Sequence, residues 1–186
     1  MTSNNEDKSI SKNVLEVITI ANEICIFLEE VEKYDKQYIY LYLQKILPLL
    51  YLKGALMPYV DAATDDDIIE RFVTQEEWQN IYNSLKNKIG SDDAFVFIDY
   101  TPKNGNETED GSISELLADI YQELKDFLLL FQKNTSIARQ NAVHTCREMF
   151  EEYWGIRLMN VHKAIHMLLY GKGKKNSPLF TGFSAN

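Results

Sequence analysis

The sequence predicts an all-α fold, a single-domain bundle of about five to six helices with one short extended segment near residues 94–100. The first observation behind this prediction is that apolar residues recur at alternating spacings of four and three through residues 112–133, the period of one helix face. The second is that 45% of the 186 residues are hydrophobic, with no Pro-, Ser- or Gly-rich linker between two apolar blocks. The chain therefore has enough apolar residues to fill one core without disulfide bonds.

We expect the helix over residues 112–133 to lie at the centre of the bundle. Its apolar seam consists of Ile113, Leu117, Ile120, Leu124, Phe127 and Phe131. Ser112 and Glu115 form the S-x-x-E pattern of a helix start, in which the hydroxyl accepts a hydrogen bond from an early backbone N–H. The seam should share one core with Trp154, Val161 and Ile165 near the end of the chain.

Polar side chains occupy the other side of this helix on a helical wheel. They are Glu115, Asp119, Gln122, Glu123 and Asp126. A solvated face is the ordinary explanation for such a group, so we expect these side chains to be exposed. Leu129 and Leu130 point the same outward way, which predicts apolar surface near the end of the helix.

Residues 13–33 and the run that follows Asp35 predict the first two helices. The second helix is apolar on nearly every face, as expected of an element that other helices surround. Asp35 can serve as its N-cap, and Pro48 should kink it. Gly54 permits the close approach of another element.

A third helix begins at a capping box formed by Thr74 and Glu77 and ends at Gly90. A β-prone run follows at residues 94–100, and a lone strand has no sheet to join. We therefore expect this run to lie extended on the helices, with brief pairing near Phe72. Residues 102–111 have the turn-rich composition of an acidic loop.

The last helical pattern covers residues 137–170, and an unbroken helix of that size would be about 50 Å long. Because such a helix is longer than a domain of this size, the sequence predicts an interruption, with Gly155 as the candidate position. The helical domain then covers residues 13–170. We expect a disordered N-terminus at residues 1–12 and a flexible basic tail at residues 171–186.

Composition argues against several classes of partner. Acidic residues outnumber basic ones 28 to 19, whereas nucleic-acid binding needs clustered lysine and arginine. Lys45, Pro48 and Lys53 interrupt the longest apolar run, residues 38–60, which argues against a membrane span. The polar N-terminus does not have the pattern of a secretion signal, so we expect a cytoplasmic protein.

His162 and His166 are the strongest metal signal, because a spacing of four lets two imidazoles on one helix meet one zinc ion. The pattern lacks the glutamate of H-E-x-x-H, and no third ligand is identified. His144 lies roughly 27 Å away along a straight helix. Cys25 and Cys146 lie in separate helical patterns, and we expect buried, reduced thiols.

Two acidic pairs offer an alternative metal site. Glu123 with Asp126, and Glu148 with Glu151, lie on consecutive predicted helices, and E-L-L-A-D at residues 115–119 resembles a motif of the helical MazG-type pyrophosphohydrolases. That resemblance implies carboxylates that hold Mg²⁺ against nucleotide phosphates. This sequence departs from the pattern, because its upstream acidic group at residues 29–32 is one residue short and Glu115 is one position too far from Asp119.

Three further pieces of sequence occur together in a familiar order. They are ILPLLYLK at residues 46–53, LADIYQELKDF at residues 117–127, and YWG at residues 153–155 followed by His166. Together they resemble the Bacteroidetes domain-of-unknown-function family number 5063, over most of the chain up to about Leu168. The resemblance implies an all-helical cytoplasmic protein, and it implies no activity.

These observations favour a noncatalytic domain that binds an unidentified protein partner or forms a homodimer, with no nucleic acid or membrane as partner. They assign no catalytic, cofactor-binding or metal-binding residue. Two alternatives stay open, a Mg²⁺-dependent nucleotide pyrophosphohydrolase-like enzyme that uses the carboxylates and a metal-binding protein that uses His162 and His166. Leu129 and Leu130, the apolar second helix and residues 95–98 offer surface at which a two-fold dimer would be expected to form. The alternative is a monomer in which the long C-terminal helix folds across all three.

Overall fold

A computed structural model describes residues 7–63, 71–98, 108–133 and 135–171. Within these residues the chain forms six α-helices and two β-strands. The helices are α1 (Lys12–Glu29), α2 (Lys36–Ala55), α3 (Gln75–Ile89), α4 (Ile113–Gln132), α5 (Ser136–Met149) and α6 (Gly155–Tyr170). The strands are β1 (Ala94–Ile98) and β2 (Thr108–Ser112). The predicted all-α bundle is confirmed, and its small sheet lies beside it.

Helix α4 is the centre of the bundle, because α1, α3, α5 and α6 all pack against it. The residues that we expected to share one core do so: Ile120, Leu124, Phe127, Trp154, Val161 and Ile165. Helix α2 packs chiefly on α6 and also on α1. Among the described residues, no helix combines the length and apolar character that a membrane crossing requires.

The predicted helix ends are present. Asp35 accepts a hydrogen bond from the Tyr38 backbone N–H, and Thr74 and Glu77 form the reciprocal capping box. Gly90 ends α3 with φ at 61°, a left-handed conformation that favours glycine. Regular structure begins before the predicted boundary at residue 13, with a 3₁₀ helix at Lys8–Ile10. Residues 1–6 and 172–186, the rest of the predicted termini, lie outside the described residues.

The expectation for the extended segment was wrong about its partner. β1 does not pair near Phe72 but forms an antiparallel pair with β2, most of which lies in the stretch that the sequence predicts to be a loop. Gly111 makes this possible, because a Cβ there would lie 2.9 Å from the Phe95 ring. The rings of Phe95 and Phe97 therefore fit across the glycine on one face of the hairpin.

The predicted interruption of the last helical pattern is a π-helical turn at Phe150–Trp154, between α5 and α6. A Cβ at Gly155 would overlap the carbonyl oxygen of Phe150. The turn also faces α2, where a Cβ at Gly54 would lie 2.7 Å from Trp154 Cη2 and 2.8 Å from Phe150 Cδ2. Both glycines are therefore required by close packing around this turn.

Arg147 of α5 caps the end of α2. Its Nη1 donates to the carbonyl oxygens of Gly54 at 3.1 Å and Ala55 at 2.8 Å, and its guanidinium lies 4.5 Å from the centre of the Tyr59 ring. A positive charge at this position satisfies carbonyls that have no partner inside the helix and complements the helix dipole. The contact joins the two halves of the chain.

Candidate functional site

The helical wheel predicts that Glu123 and Asp126 are exposed, and this prediction is wrong. Both side chains are buried. The physical reason is Arg71, whose Nη1 donates to Glu123 Oε1 at 2.7 Å and to Asp126 Oδ2 at 3.2 Å. A guanidinium can offset the desolvation of a buried carboxylate through charge-assisted hydrogen bonds. The polar side of α4 is therefore covered by the segment that leads into α3.

Asp126 holds that segment in place through its other oxygen. Oδ1 accepts hydrogen bonds from the backbone N–H groups of Phe72 and Val73, both at 2.8 Å. The carboxylate thus satisfies two backbone donors just before the N-cap of α3. This arrangement has a structural explanation that requires no metal or substrate.

Among the carboxylates of the residues that the structure describes, Glu123 has a clearly raised pKa. Burial raises the pKa of this carboxyl, and the hydrogen bond and charge of Arg71 offset only part of that effect. Shifts in this direction occur in functional carboxylates and in structural ion-pair networks alike. The contacts of Glu123 are therefore needed to distinguish the two.

Asp119 joins three other elements to α4. It accepts hydrogen bonds from Trp78 Nε1 of α3, from the Tyr153 hydroxyl of the π-turn and from Arg157 Nε of α6, each at 3.1 Å. The Arg157 guanidinium also lies 3.4 Å from the centre of the Tyr153 ring. The carboxylate therefore connects packed elements and is not free to bind a ligand without losing these bonds.

The second acidic pair, Glu148 and Glu151, contacts different residues from those that bind Glu123 and Asp126. Glu148 lies 3.3 Å from His144 Nε2, and Glu151 accepts from the Tyr59 hydroxyl at 2.6 Å and from Arg147. These hydrogen bonds hold the pKa of Glu151 below its ordinary value. Among the residues that the structure describes, the two predicted acidic pairs thus share no hydrogen-bond or ion-pair partner. Within the described ranges, no group of three or more His, Cys, Asp or Glu side chains is arranged to hold a metal ion.

The histidines and cysteines do not add a site to these contacts. His166 is exposed, with its ring 5.0 Å from that of Tyr170, and His162 is half-buried on the same helix. Cys25 and Cys146 are buried and unpaired with each other, as predicted. Burial raises the pKa of the Cys25 thiol to about 12 and also raises the pKa of the Cys146 thiol, so both groups favour the protonated form, which is the weaker nucleophile.

A cavity with largely apolar walls lies between β1 and α6, and we call it the hairpin groove. Its volume is about 220 Å³. Residues 94–96 form one wall, Lys163, Ala164, Met167 and Leu168 form the other, and Asp92 and Ile113 complete the lining. Of these, Val96 is 62% exposed and Met167 is 57% exposed. The groove therefore presents apolar side chains to water on both sides.

Asp93 fixes the hairpin beside the groove. Its backbone oxygen accepts from Ile113 N at 2.9 Å, and its buried carboxylate accepts from Ser114 N at 2.8 Å and from Lys86 Nζ at 2.7 Å. Burial alone would raise the pKa of Asp93, but hydrogen bonds from Lys86, Ser112 and Ser114 outweigh it and hold the pKa below its ordinary value. β1 is thereby held at the start of α4.

The sequence prediction missed two parts of these sites. Arg71 is a single basic residue after an acidic run, and its position in sequence does not show that it reaches α4, 52 positions away. The groove wall at Met167 lies on α6, where periodicity places it outside the Trp154 seam. Leu129 and Leu130, the surface that we did predict, are half-buried, and Leu130 packs against the core.

The profile of a family described as a domain of unknown function (DUF5063) matches residues 8–171. The chain belongs to this family. The resemblance seen in the sequence is thereby confirmed, and the matched range contains all the described helices and strands of the DUF5063 protein. The family description states no activity, ligand or partner.

A solved relative has the same helical-bundle fold as this DUF5063 protein. The crystal structure of protein BF1032 from Bacteroides fragilis is similar to it with a TM-score of 0.77 and 32% sequence identity. The alignment covers 88% of this chain and 96% of that one. No curated protein matches the DUF5063 protein significantly.

Proposed function

We propose that this DUF5063 protein is a cytoplasmic, noncatalytic domain that binds a protein partner through the hairpin groove. The observation that carries the proposal is apolar surface on both walls of the groove, chiefly Val96 and Met167. Exposed apolar walls around a cleft are typical of protein-binding sites. The proposal involves no metal, cofactor, nucleic acid or membrane.

The carboxylates support a noncatalytic assignment. Asp119, Glu123 and Asp126 accept hydrogen bonds from residues of neighbouring elements, and those bonds join α3, α6 and the π-turn to α4. Binding of Mg²⁺ would have to displace donors such as Arg71. The buried acidic residues are therefore explained by packing, whereas the exposed groove is not.

Site-specific photocrosslinking tests the proposal in cells that express the protein. A photoreactive amino acid at Val96 or Met167 should crosslink to a protein that mass spectrometry of the joined peptides identifies. The matched control is Ile137, which is 56% exposed on α5 but lies near the opposite end of α4. Equal crosslinking from Ile137, or no protein adduct from either groove position, would overturn the assignment of this surface.

The Mg²⁺-dependent pyrophosphohydrolase is a second candidate, because Glu123 and Asp126 lie close enough on α4 to bind the same guanidinium nitrogen of Arg71. Its test is to incubate the purified protein with Mg²⁺ and nucleoside triphosphates and to follow pyrophosphate release. Activity that disappears in Glu123→Gln and Asp126→Asn, with the fold retained, would replace the noncatalytic proposal. For the metal-binding alternative, the corresponding measurement is zinc binding by the unmodified protein and by His166→Ala.

A further inference from the structure

The two strands of the hairpin differ in chemistry on their solvent-facing side. β1 presents Ala94, Val96 and Ile98 there, and all three are exposed. Their cross-strand partners on β2 are Ser112, Asp110 and Thr108. One strand is thus fully apolar on this side and the other fully polar.

β1 therefore has the composition of a central strand and β2 that of an edge strand. Natural edge strands carry charged residues, proline or bulges that prevent pairing with another chain. β1 has none of these over Ala94–Ile98, and in the described part of the chain β2 is its one strand neighbour. About half of the backbone N–H and C=O groups of β1 point away from β2, toward the edge at which another strand would pair.

We infer that the partner at this edge is a second copy of the same chain. Two β1 strands pair antiparallel about a two-fold axis and form a four-stranded sheet in the order β2, β1, β1 of the partner, β2 of the partner. The inference rests on the proposed function, since it names the protein that the groove face binds. It also gives each strand the position that its composition fits.

A two-fold axis through Val96 brings all five residues of β1 into register. Val96 lies opposite Val96 of the partner subunit, and Ala94 lies opposite Ile98 of the partner subunit. On the other face, Phe95 lies opposite Phe97 of the partner subunit, an aromatic cross-strand pair that stabilises sheets. Because β1 carries no charge, the cross-strand pairs between the two β1 strands contain no like charges.

The strands alone are too small for a stable interface, which typically buries about 1,200–2,000 Å² in total. The hairpin groove supplies additional surface, because α6 forms its other wall with Met167 and Leu168. Tyr170, which is 50% exposed, lies about one turn beyond Met167 on the same helix. An added strand at the edge of β1 would contact this helix as well as the sheet.

The molar mass of the purified chain in solution tests the inference. Size exclusion with light scattering at micromolar to submillimolar concentration should give twice the 21.6 kDa chain mass. Val96→Lys should halve the mass, because it places an ammonium group on the axis. Asp110→Lys is the matched control, since it puts the same side chain on β2 directly across from Val96, and its mass should stay at the dimer value.

Thiol crosslinking tests the arrangement independently of dimer strength. Val96→Cys should join two chains through a short bis-maleimide reagent, whereas Thr108→Cys should not, because two intervening strands place the β2 strands about 14 Å apart. Cys25 and Cys146 are buried, so the reagent should not reach them, and the unmodified chain serves as the negative control. A dimer that Val96→Lys leaves intact but Leu130→Asp dissociates would overturn the inference.

The failure of this inference is distinguishable from the failure of the proposed function. A monomer mass at all concentrations, together with photocrosslinking from Val96 to a different protein, rejects self-pairing and retains groove binding. A monomer mass with no crosslink from Val96 or Met167 rejects both. Photocrosslinks that join Val96 to the same segment of a second chain support both.

Discussion

Replacing Asp126 with alanine tests whether the buried acid holds the segment before α3 in place. The substitution removes the acceptor for the backbone N–H groups of Phe72 and Val73. Each buried donor left without a partner costs about 1–3 kcal/mol. The Val73 bond is buried and the Phe72 bond partly so, and water can therefore reach the second donor more easily than the first.

We therefore expect Asp126→Ala to lower the free energy of unfolding by about 2–4 kcal/mol. Asp126→Asn should cost less, about 1–2 kcal/mol, because its amide oxygen still accepts both backbone bonds. What the asparagine loses is the charge-assisted bond to Arg71, which retains Glu123 as a partner. The expected order of stability is thus the unmodified protein, then asparagine, then alanine.

Equilibrium unfolding in urea measures these differences, provided that the slopes of the three proteins agree. Hydrogen exchange should show lost protection at Phe72 and Val73 in the alanine variant. Glu115→Ala is the control, because Glu115 is exposed on the same helix and its removal should change stability by less than about 1 kcal/mol. An Asp126→Ala protein as stable as this control, with both amides still protected, would refute the anchoring role.

Three other outcomes follow from the structure. The raised pKa of Glu123 means that the folded state prefers the neutral form of this carboxyl. Its contribution to the free energy of unfolding is therefore fully present at pH values below the ordinary pKa of 4.5, and it is lost as the pH rises through the pKa of the folded state. Urea unfolding at several pH values should therefore show that the stability of Glu123→Gln, relative to that of the unmodified protein, increases as the pH rises. A decrease in this relative stability would contradict the raised pKa. Gly54→Ala should lower the melting temperature, because the added methyl group would overpack against the buried rings of Trp154 and Phe150. Overpacking of this kind costs about 1–3 kcal/mol, which exceeds the gain of up to about 1 kcal/mol in helix propensity. A higher melting temperature would show that the rings move aside. Phe127→Ala should cost about 3–5 kcal/mol in chemical denaturation, and a loss under about 1 kcal/mol would show that the seam of α4 is not the core.

Local signals in the sequence predicted the helices well. The starts at Asp35 and Thr74 and the end at Gly90 each depend on residues within one turn, so a single segment contains all the information. The core position of Trp154 likewise follows from the spacing of apolar residues that continues from the π-turn into α6. Patterns of this kind need no knowledge of what packs against them.

The hairpin and the buried acids depended on partners that are distant in sequence. Thr108–Ser112 contains two acidic residues and a glycine, which gives it little strand propensity, and it becomes a strand because β1 lies beside it. The turn-favouring dipeptide Asn104–Gly105 between the two strands was the signal that could have suggested a hairpin. For Asp126 no local signal exists, because its burial depends on Arg71 and on two backbone groups more than 50 positions away.

The contact between Arg147 and the end of α2 has a consequence for protein synthesis. Arg147 follows Gly54 by 93 positions, so the ribosome makes the helix long before it makes the residue that caps it. At about 5–20 residues per second, this interval lasts roughly 5–20 seconds. Helix α6, on which α2 chiefly packs, is made later still. During translation, α2 therefore has neither its cap nor its main neighbour, and it reaches its final surroundings only when α6 has left the ribosome.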